Sequence, residues 1–127
     1  MRLLLDTHVF LWWIKNDRQL SKAVKSKILH ATEVYVSSAS IWELMIKIKL
    51  KKLTADINQI VEAITESGFL ELPITSNHAV TVSRLSEIHR DPFDRILIAQ
   101  AIYEPLTFLT ADALLKDYSE LVEVIVS

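Results

Sequence analysis

Short apolar runs of strand length alternate with longer segments of helical periodicity along almost the whole chain, and this alternation limits the fold more than any other feature. Arg2 to Leu5, Val34 to Ser37, Thr107 to Thr110 and Val122 to Val126 read as buried strands. Between them lie a helix from Thr7 through Ile14, capped at Asp6-Thr7, and one near Ser21 to Ala31 with Val24, Ile28 and Leu29 on one side and lysines on the other. Ser40 is placed to cap a helix from Ile41 to about Lys49. Ile57, Ile60, Val61 and Ile64 predict a helix over Ala55 to Glu66, with Gly68 at its C-terminal cap. Phe69 to Ile74 is extended but irregular or at an edge, because Pro73 cannot donate to a ladder. Helices follow over Asn77 to Ile88 and Pro92 to Tyr103, and a short one over Ala113 to Asp117. Strands alternating with helices predict an α/β fold with a parallel sheet covered on both faces.

At 127 residues the chain fits one domain, residues 1–127, with no repeat, linker or low-complexity segment. The one glycine, Gly68, rules out a Gly-rich phosphate loop. Half of the residues are hydrophobic, more than a solvated monomer of this size needs, which points to an oligomer or a bound partner. No cysteine is present, so disulfide scaffolds, zinc fingers and thiol chemistry are excluded, and a reducing cytoplasm is compatible. The apolar start from Leu3 to Ile14 is broken by Asp6 and His8 and lacks a small-residue cleavage site, so it reads as structure rather than as a signal peptide. No apolar run reaches the roughly 18 residues that span a bilayer.

Four carboxylates lie at the polar end or on one face of these apolar elements. Asp6 closes the first strand, Asp112 follows Thr107 to Thr110, Asp94 opens the helix containing Ile96 to Ala99, and Glu43 lies in the helix after Val34 to Val36. In parallel sheets, sites form at the carboxyl ends of strands, where Asp6 and Asp112 fall. Packing the elements into one core brings the acidic ends together. Such a cluster cannot ionise fully in a low-dielectric cleft without compensation, and a hard cation such as Mg²⁺ is its simplest stable complement.

Each carboxylate also has an ordinary structural role open to it. Asp6 and Asp112 suit helix caps, and Glu43 can pair with Lys47 at i, i+4. The helix around Glu43 is, however, apolar nearly all round, with Ile41, Trp42, Leu44, Met45, Ile46 and Ile48. In Asp91-Pro92-Phe93-Asp94, Asp91 suits the cap and Pro92 the first turn. Asp94 shares its face with Leu97, Ile98 and Ala101, where an unpaired carboxylate is costly, so it is the stronger ligand candidate.

The remaining polar and aromatic signals are weaker. Trp12, Trp13 and Trp42 can stack on bases but more often fill cores or interfaces. His8, His30, His78 and His89 show no metal-ligand spacing and receive no catalytic role, although His89-Arg90 could touch phosphate. Basic residues group at Lys15 to Lys27, at Lys47 to Lys52, and in Arg84, Arg90 and Arg95, as solvated faces or as a nucleic-acid footprint. The formal charge of −2 turns positive once four carboxylates are neutralised.

With these positions in hand, the chain resembles the PIN-domain nucleases, and within them the toxins of VapBC toxin-antitoxin systems. The resemblance spans the whole length. It rests on Leu4-Leu5-Asp6-Thr7-His8, on Ser40-Ile41-Trp42-Glu43-Leu44 with Lys47, on His89-Arg90-Asp91-Pro92-Phe93-Asp94-Arg95 leading into Ile98-Ala99-Gln100-Ala101, and on Leu109-Thr110-Ala111-Asp112. It implies a three-layer α/β/α sandwich with a central parallel sheet and an acidic quartet, Asp6, Glu43, Asp94 and Asp112, that holds Mg²⁺ or Mn²⁺. Thr7 and Thr110 would support the ligands, and Lys47 and Arg95 would contact phosphate. Two positions depart from the family's pattern. Leu50-Lys51-Lys52-Leu53 stands where relatives often carry a glycine, and Ala111 where a polar residue is frequent.

The resemblance implies a metal-dependent endoribonuclease toxin in the cytoplasm, inhibited by a VapB-type antitoxin, with Val9 to Ile14 serving homodimerisation and antitoxin binding. Metal-activated water would leave 5′-phosphate and 3′-hydroxyl ends, since the 2′-hydroxyl of RNA is not required. A housekeeping RNA-processing nuclease and a catalytically degenerate binding domain are the alternatives. An aspartyl phosphatase is disfavoured, because the second Asp expected two residues after Asp6 is His8.

Overall fold

The computed structural model describes residues 1–125. Five strands form one all-parallel sheet: β1 (Arg2–Leu5), β2 (Glu33–Ser37), β3 (Leu70–Leu72), β4 (Thr107–Thr110) and β5 (Val122–Val124), in the order β3-β2-β1-β4-β5. Helices α1 (Thr7–Lys15), α2 (Lys22–His30), α3 (Ser38–Lys49), α4 (Ile57–Glu66), α5 (Ser76–Val82) and α6 (Pro92–Tyr103) cover it, and a 3₁₀ helix, Ala113–Tyr118, joins β4 to β5. Val126, expected to end the last strand, lies outside the described residues.

The strands are apolar on both faces because both faces are covered. Leu3 and Leu5 point to one side, where Val9, Phe10, Val24, Ile28, Leu44, Ile60 and Ile64 form a core. Leu4 points to the other and packs with Leu97, Ile98, Phe108, Leu115 and Val122. The two cores separated by one sheet make the three layers of an α/β/α sandwich, as expected.

β1 pairs with β2 on one side and with β4 on the other, Leu4 standing opposite both Tyr35 and Phe108. The chain therefore leaves β1 toward one half of the sheet and returns on the opposite half, and a crevice opens at the carboxyl ends between β1 and β4.

Several element boundaries depart from the sequence reading. Ser37, not Ser40, caps α3, accepting from Ala39 N at 3.0 Å. The helix starts directly from the strand with no loop between, so the cap falls on the last strand residue, and Ser40 is buried one turn in. α4 begins at Ile57 with Asp56 as its cap rather than at Ala55. α5 stops at Val82 instead of Ile88, and the chain tightens into i−3 bonds from Ser83, Arg84 and Leu85. Thr81, Val82 and Ser83 are poor helix formers, which accounts for the early stop. Gly68 takes φ 77° after α4, and β3 is an edge strand closed by Pro73, both as the sequence predicts.

Candidate active site

Asp6 leaves β1 into the crevice and caps α1. Its Oδ1 accepts from Thr7 N at 2.7 Å, and its Oδ2 accepts from the Thr110 hydroxyl at 2.5 Å. The capping role and the site role thus fall on the same carboxylate, which is 6% exposed. Burial pushes its pKa up, against the pull of the Thr110 and Thr7 hydrogen bonds, and the charge of Glu43 adds to the rise. The Thr7 hydroxyl turns the other way and donates to Ser40 Oγ at 2.9 Å, locking α1 to α3.

Asp112 is held from the same strand end. Its N–H donates to Thr110 Oγ1 at 3.1 Å, and its Oδ1 caps the 3₁₀ helix by accepting from Leu114 N at 3.0 Å. Asp6 and Asp112 line one cleft of about 320 Å³ with His8, Trp12 and Ala111.

Asp94 comes from the first turn of α6, at the carboxyl edge of the sheet. Asp91 is the cap, accepting from Phe93 N at 2.8 Å and Asp94 N at 3.4 Å, which frees the Asp94 carboxylate. Desolvation, then repulsion by Asp6 and Asp91, pushes the Asp94 pKa up to about 7, against the opposing effect of His89. Glu43 also raises it, so all three charges are close enough to feel one another. Glu43 makes the expected i, i+4 pair with Lys47 at 3.3 Å, its side chain only 14% exposed.

The structure thus brings Asp6, Glu43, Asp94 and Asp112 to one end of the sheet. His89, which carries no periodic or spacing signal in the sequence, joins them: its Nε2 lies 3.1 Å from Asp94 Oδ2, and ligand atoms of His89, Asp94 and Asp112 all fall within 4.8 Å of one another. Its position in the turn just before the α6 cap was the one available clue. With Lys47 paired to Glu43, Asp6 and Asp94 face each other's charge, and hard oxygen donors in that arrangement fit a divalent cation.

Arg95 is bonded to the segment that leads into α6. Its guanidinium donates to the carbonyls of Ser86 (2.9 Å), His89 (3.3 Å) and Val82 (3.3 Å) and to Tyr118 Oη (3.3 Å). These bonds give Arg95 a structural role in holding the turn after α5. Sequence alone shows a cation beside a carboxylate motif, not which carbonyls surround it.

The amino-acid sequence from residue 3 to 121 matches the family model of the PIN domain. The chain belongs to the PIN-domain family. This PIN domain is similar to Ribonuclease VapC22 of Mycobacterium tuberculosis, 31% identical over 123 residues that cover 91% of each chain. Among solved structures it is similar to VapBC2 from Rickettsia felis bound to a promoter DNA fragment, with a TM-score of 0.71 and 15% identity over 96% of both chains. The DNA-bound VapBC from Salmonella typhimurium gives a TM-score of 0.67 and 15% identity, covering 98% of this chain and 97% of that one. These two likenesses establish the fold.

The aromatic residues divide. Trp13 is structural, stacking on Phe69 at 5.5 Å and donating Nε1 to Ser67 Oγ at 3.1 Å. Trp42 is 62% exposed and meets Phe93 edge-on at 5.2 Å, on an apolar groove of about 350 Å³ that also takes in Ile46, Ile74 and Ile96. Val9 and Phe10 are fully buried, so of the Val9 to Ile14 segment only Leu11 to Ile14 keep partial exposure. Among the described residues no helix is long and apolar enough to cross a membrane.

Proposed function

We propose that residues 1–127 act as one PIN domain that hydrolyses RNA, as the endoribonuclease toxin of a VapBC-type system. The observation that carries this reading is the convergence of Asp6, Glu43, Asp94 and Asp112 at the crevice, with Asp6 and Asp94 both left short of compensating charge. The 31% identity to a VapC ribonuclease supports the substrate class. Asp6, Asp94, Asp112 and Glu43 would hold Mg²⁺ or Mn²⁺, which supplies a nucleophile at neutral pH and offsets charge on the phosphate being attacked.

The protein's own contribution is to fix these groups in place. Thr110 orients Asp6 and Asp112 together, and Thr7 secures the α1 start against Ser40, so the carboxylates are held in place before substrate arrives. Lys47, paired with Glu43, would supply a cation to an approaching phosphodiester. The exposed Trp42 and Phe93 groove supports a protein partner, and we assign it to a VapB-type antitoxin or to homodimerisation in the cytoplasm.

The test uses purified, antitoxin-free protein with single-stranded and structured RNA, in Mg²⁺, Mn²⁺ or chelator, beside Asp6→Asn and Asp94→Asn. Metal-dependent cleavage lost in both variants is expected. Cleavage that persists in chelator, or in both variants, overturns the assignment. Growth arrest relieved by co-expressing the neighbouring small gene separates a toxin from a housekeeping nuclease.

A further inference from the structure

His89 is held more firmly than a surface histidine requires. Its N–H donates to Tyr118 Oη at 2.7 Å, and its carbonyl accepts from both Tyr118 Oη at 3.2 Å and Arg95 at 3.3 Å. Tyr118 ends the 3₁₀ helix that Asp112 begins, and Arg95 follows Asp94. The two residues that fix the His89 backbone therefore belong to the segments carrying its two carboxylate neighbours. With the backbone clamped, the imidazole lies beside both carboxylates, its Nε2 at 3.1 Å from Asp94 Oδ2 and a ring nitrogen within 4.8 Å of an Asp112 carboxylate oxygen.

A separation near 3 Å has two readings. It is a hydrogen bond, and it is also the spacing of two adjacent ligands on an octahedral ion whose bonds are about 2.1 Å, since such neighbours lie about 3 Å apart. A histidine serving only to orient Asp94 would make the first contact and need no proximity to Asp112. Closeness to both carboxylates favours the second.

We infer that His89 supplies a nitrogen ligand to the divalent cation, making the site a mixed nitrogen and oxygen site that favours Mn²⁺ over Mg²⁺. The inference rests on the metal-site reading above. Mg²⁺ is a hard ion that keeps oxygen ligands and dehydrates reluctantly, whereas Mn²⁺ belongs, as its weakest member, to the first-row series that binds nitrogen as well as oxygen donors, so removing the nitrogen weakens the two ions unequally.

The experiment is Mn²⁺ and Mg²⁺ titration by calorimetry, with electron spin echo envelope spectra of the Mn²⁺ protein, on wild type, His89→Ala, His89→Gln and His30→Ala, His30 being exposed at the end of α2. The wild type and His30→Ala should show modulation from a directly bound imidazole nitrogen, and both His89 variants should lose it. Mn²⁺ affinity should fall about tenfold in the His89 variants while Mg²⁺ affinity changes less than about twofold. Gln keeps a polar side chain at the position, and thermal melts of both variants separate a ligand loss from unfolding. Absence of nitrogen modulation in the wild type, or its retention in both His89 variants, overturns the inference. Mn²⁺ binding unaffected by Asp6→Asn and Asp94→Asn overturns the metal site itself, a distinct failure.

Discussion

The Thr110 hydroxyl donates to Asp6 Oδ2 at 2.5 Å, joining residues 104 positions apart and tying the carboxyl ends of β1 and β4 to each other. The same oxygen accepts from Asp112 N, so one buried side chain aligns two members of the acidic quartet. Thr110→Val keeps the shape and removes both bonds. Hydrogen bonds to charged groups contribute about 1.5–3 kcal/mol, and a buried carboxylate left unsatisfied loses at least that. Denaturant unfolding of Thr110→Val is expected to show a loss in this range, with weakened Mn²⁺ binding, and Thr110→Ser should recover most of both. Wild-type metal affinity in Thr110→Val would refute the orienting role.

Arg95 offers a sharper separation between structure and substrate contact. Its bonds run to three carbonyls and a phenol, a forked pattern that lysine cannot copy. Arg95→Lys is expected to lower stability by about 1–3 kcal/mol. It should also loosen the turn that carries His89, visible as faster amide exchange over residues 83–91. A phosphate-binding Arg95 behaves differently: the substitution would raise KM for RNA and leave the melting temperature unchanged.

What the sequence revealed follows from where its local patterns change. Asp6, Asp94 and Asp112 each lie where strand periodicity gives way to a helix start, and a parallel sheet gathers such junctions at one end, so their convergence was readable. Glu43 was ambiguous because its local explanation is true: it does pair with Lys47, and its charge also acts on Asp94. The placement of His89 was not readable for the opposite reason, as it depends on Tyr118, which anchors it from 29 residues away. Ser37 and Ser40 were confused because both suit a cap, and only the absence of a loop between β2 and α3 decides between them. The carbonyls that surround Arg95 were not readable, because a cation's partners in three dimensions leave no trace in its neighbours.

The glycine missing after α3 has a structural consequence. Lys51 occupies φ 60°, the left-handed region, and closes the helix with its N–H on Ile48 O, while Lys52 and Leu53 bond back to Lys47 O. Side chains with a Cβ incur a cost of about 1–2 kcal/mol there, part of which glycine gives back through its freer unfolded chain. Lys51→Gly is expected to stabilise the protein by about 0.5–1 kcal/mol in urea unfolding. An unchanged or lower midpoint would mean that the lysine makes a compensating contact. RNA binding should weaken in the same variant if the Lys47 to Lys52 cluster lies on the RNA path, and stay constant if it does not.

Asp94 gives the protein a pH dependence of definite sign. Its carboxyl is raised from 3.8 to about 7 in the fold, mainly by desolvation and by Asp6, so the folded state holds the proton more tightly than the unfolded chain. Stability from this group is full below about pH 4 and is lost as pH rises through about 7. Asp6, also raised, contributes with the same sign. In chelator, wild type should therefore lose melting temperature from pH 5 to pH 8 relative to Asp94→Asn, which carries no charge to bury. At pH 8 the variant should be the more stable of the two. Adding Mn²⁺ should reverse the order, because the cation offsets the charge that destabilises the metal-free wild type and finds one carboxylate fewer in the variant. A wild type that exceeds Asp94→Asn at pH 8 in chelator would place the Asp94 carboxylate in a compensated environment and remove the electrostatic case for the cation.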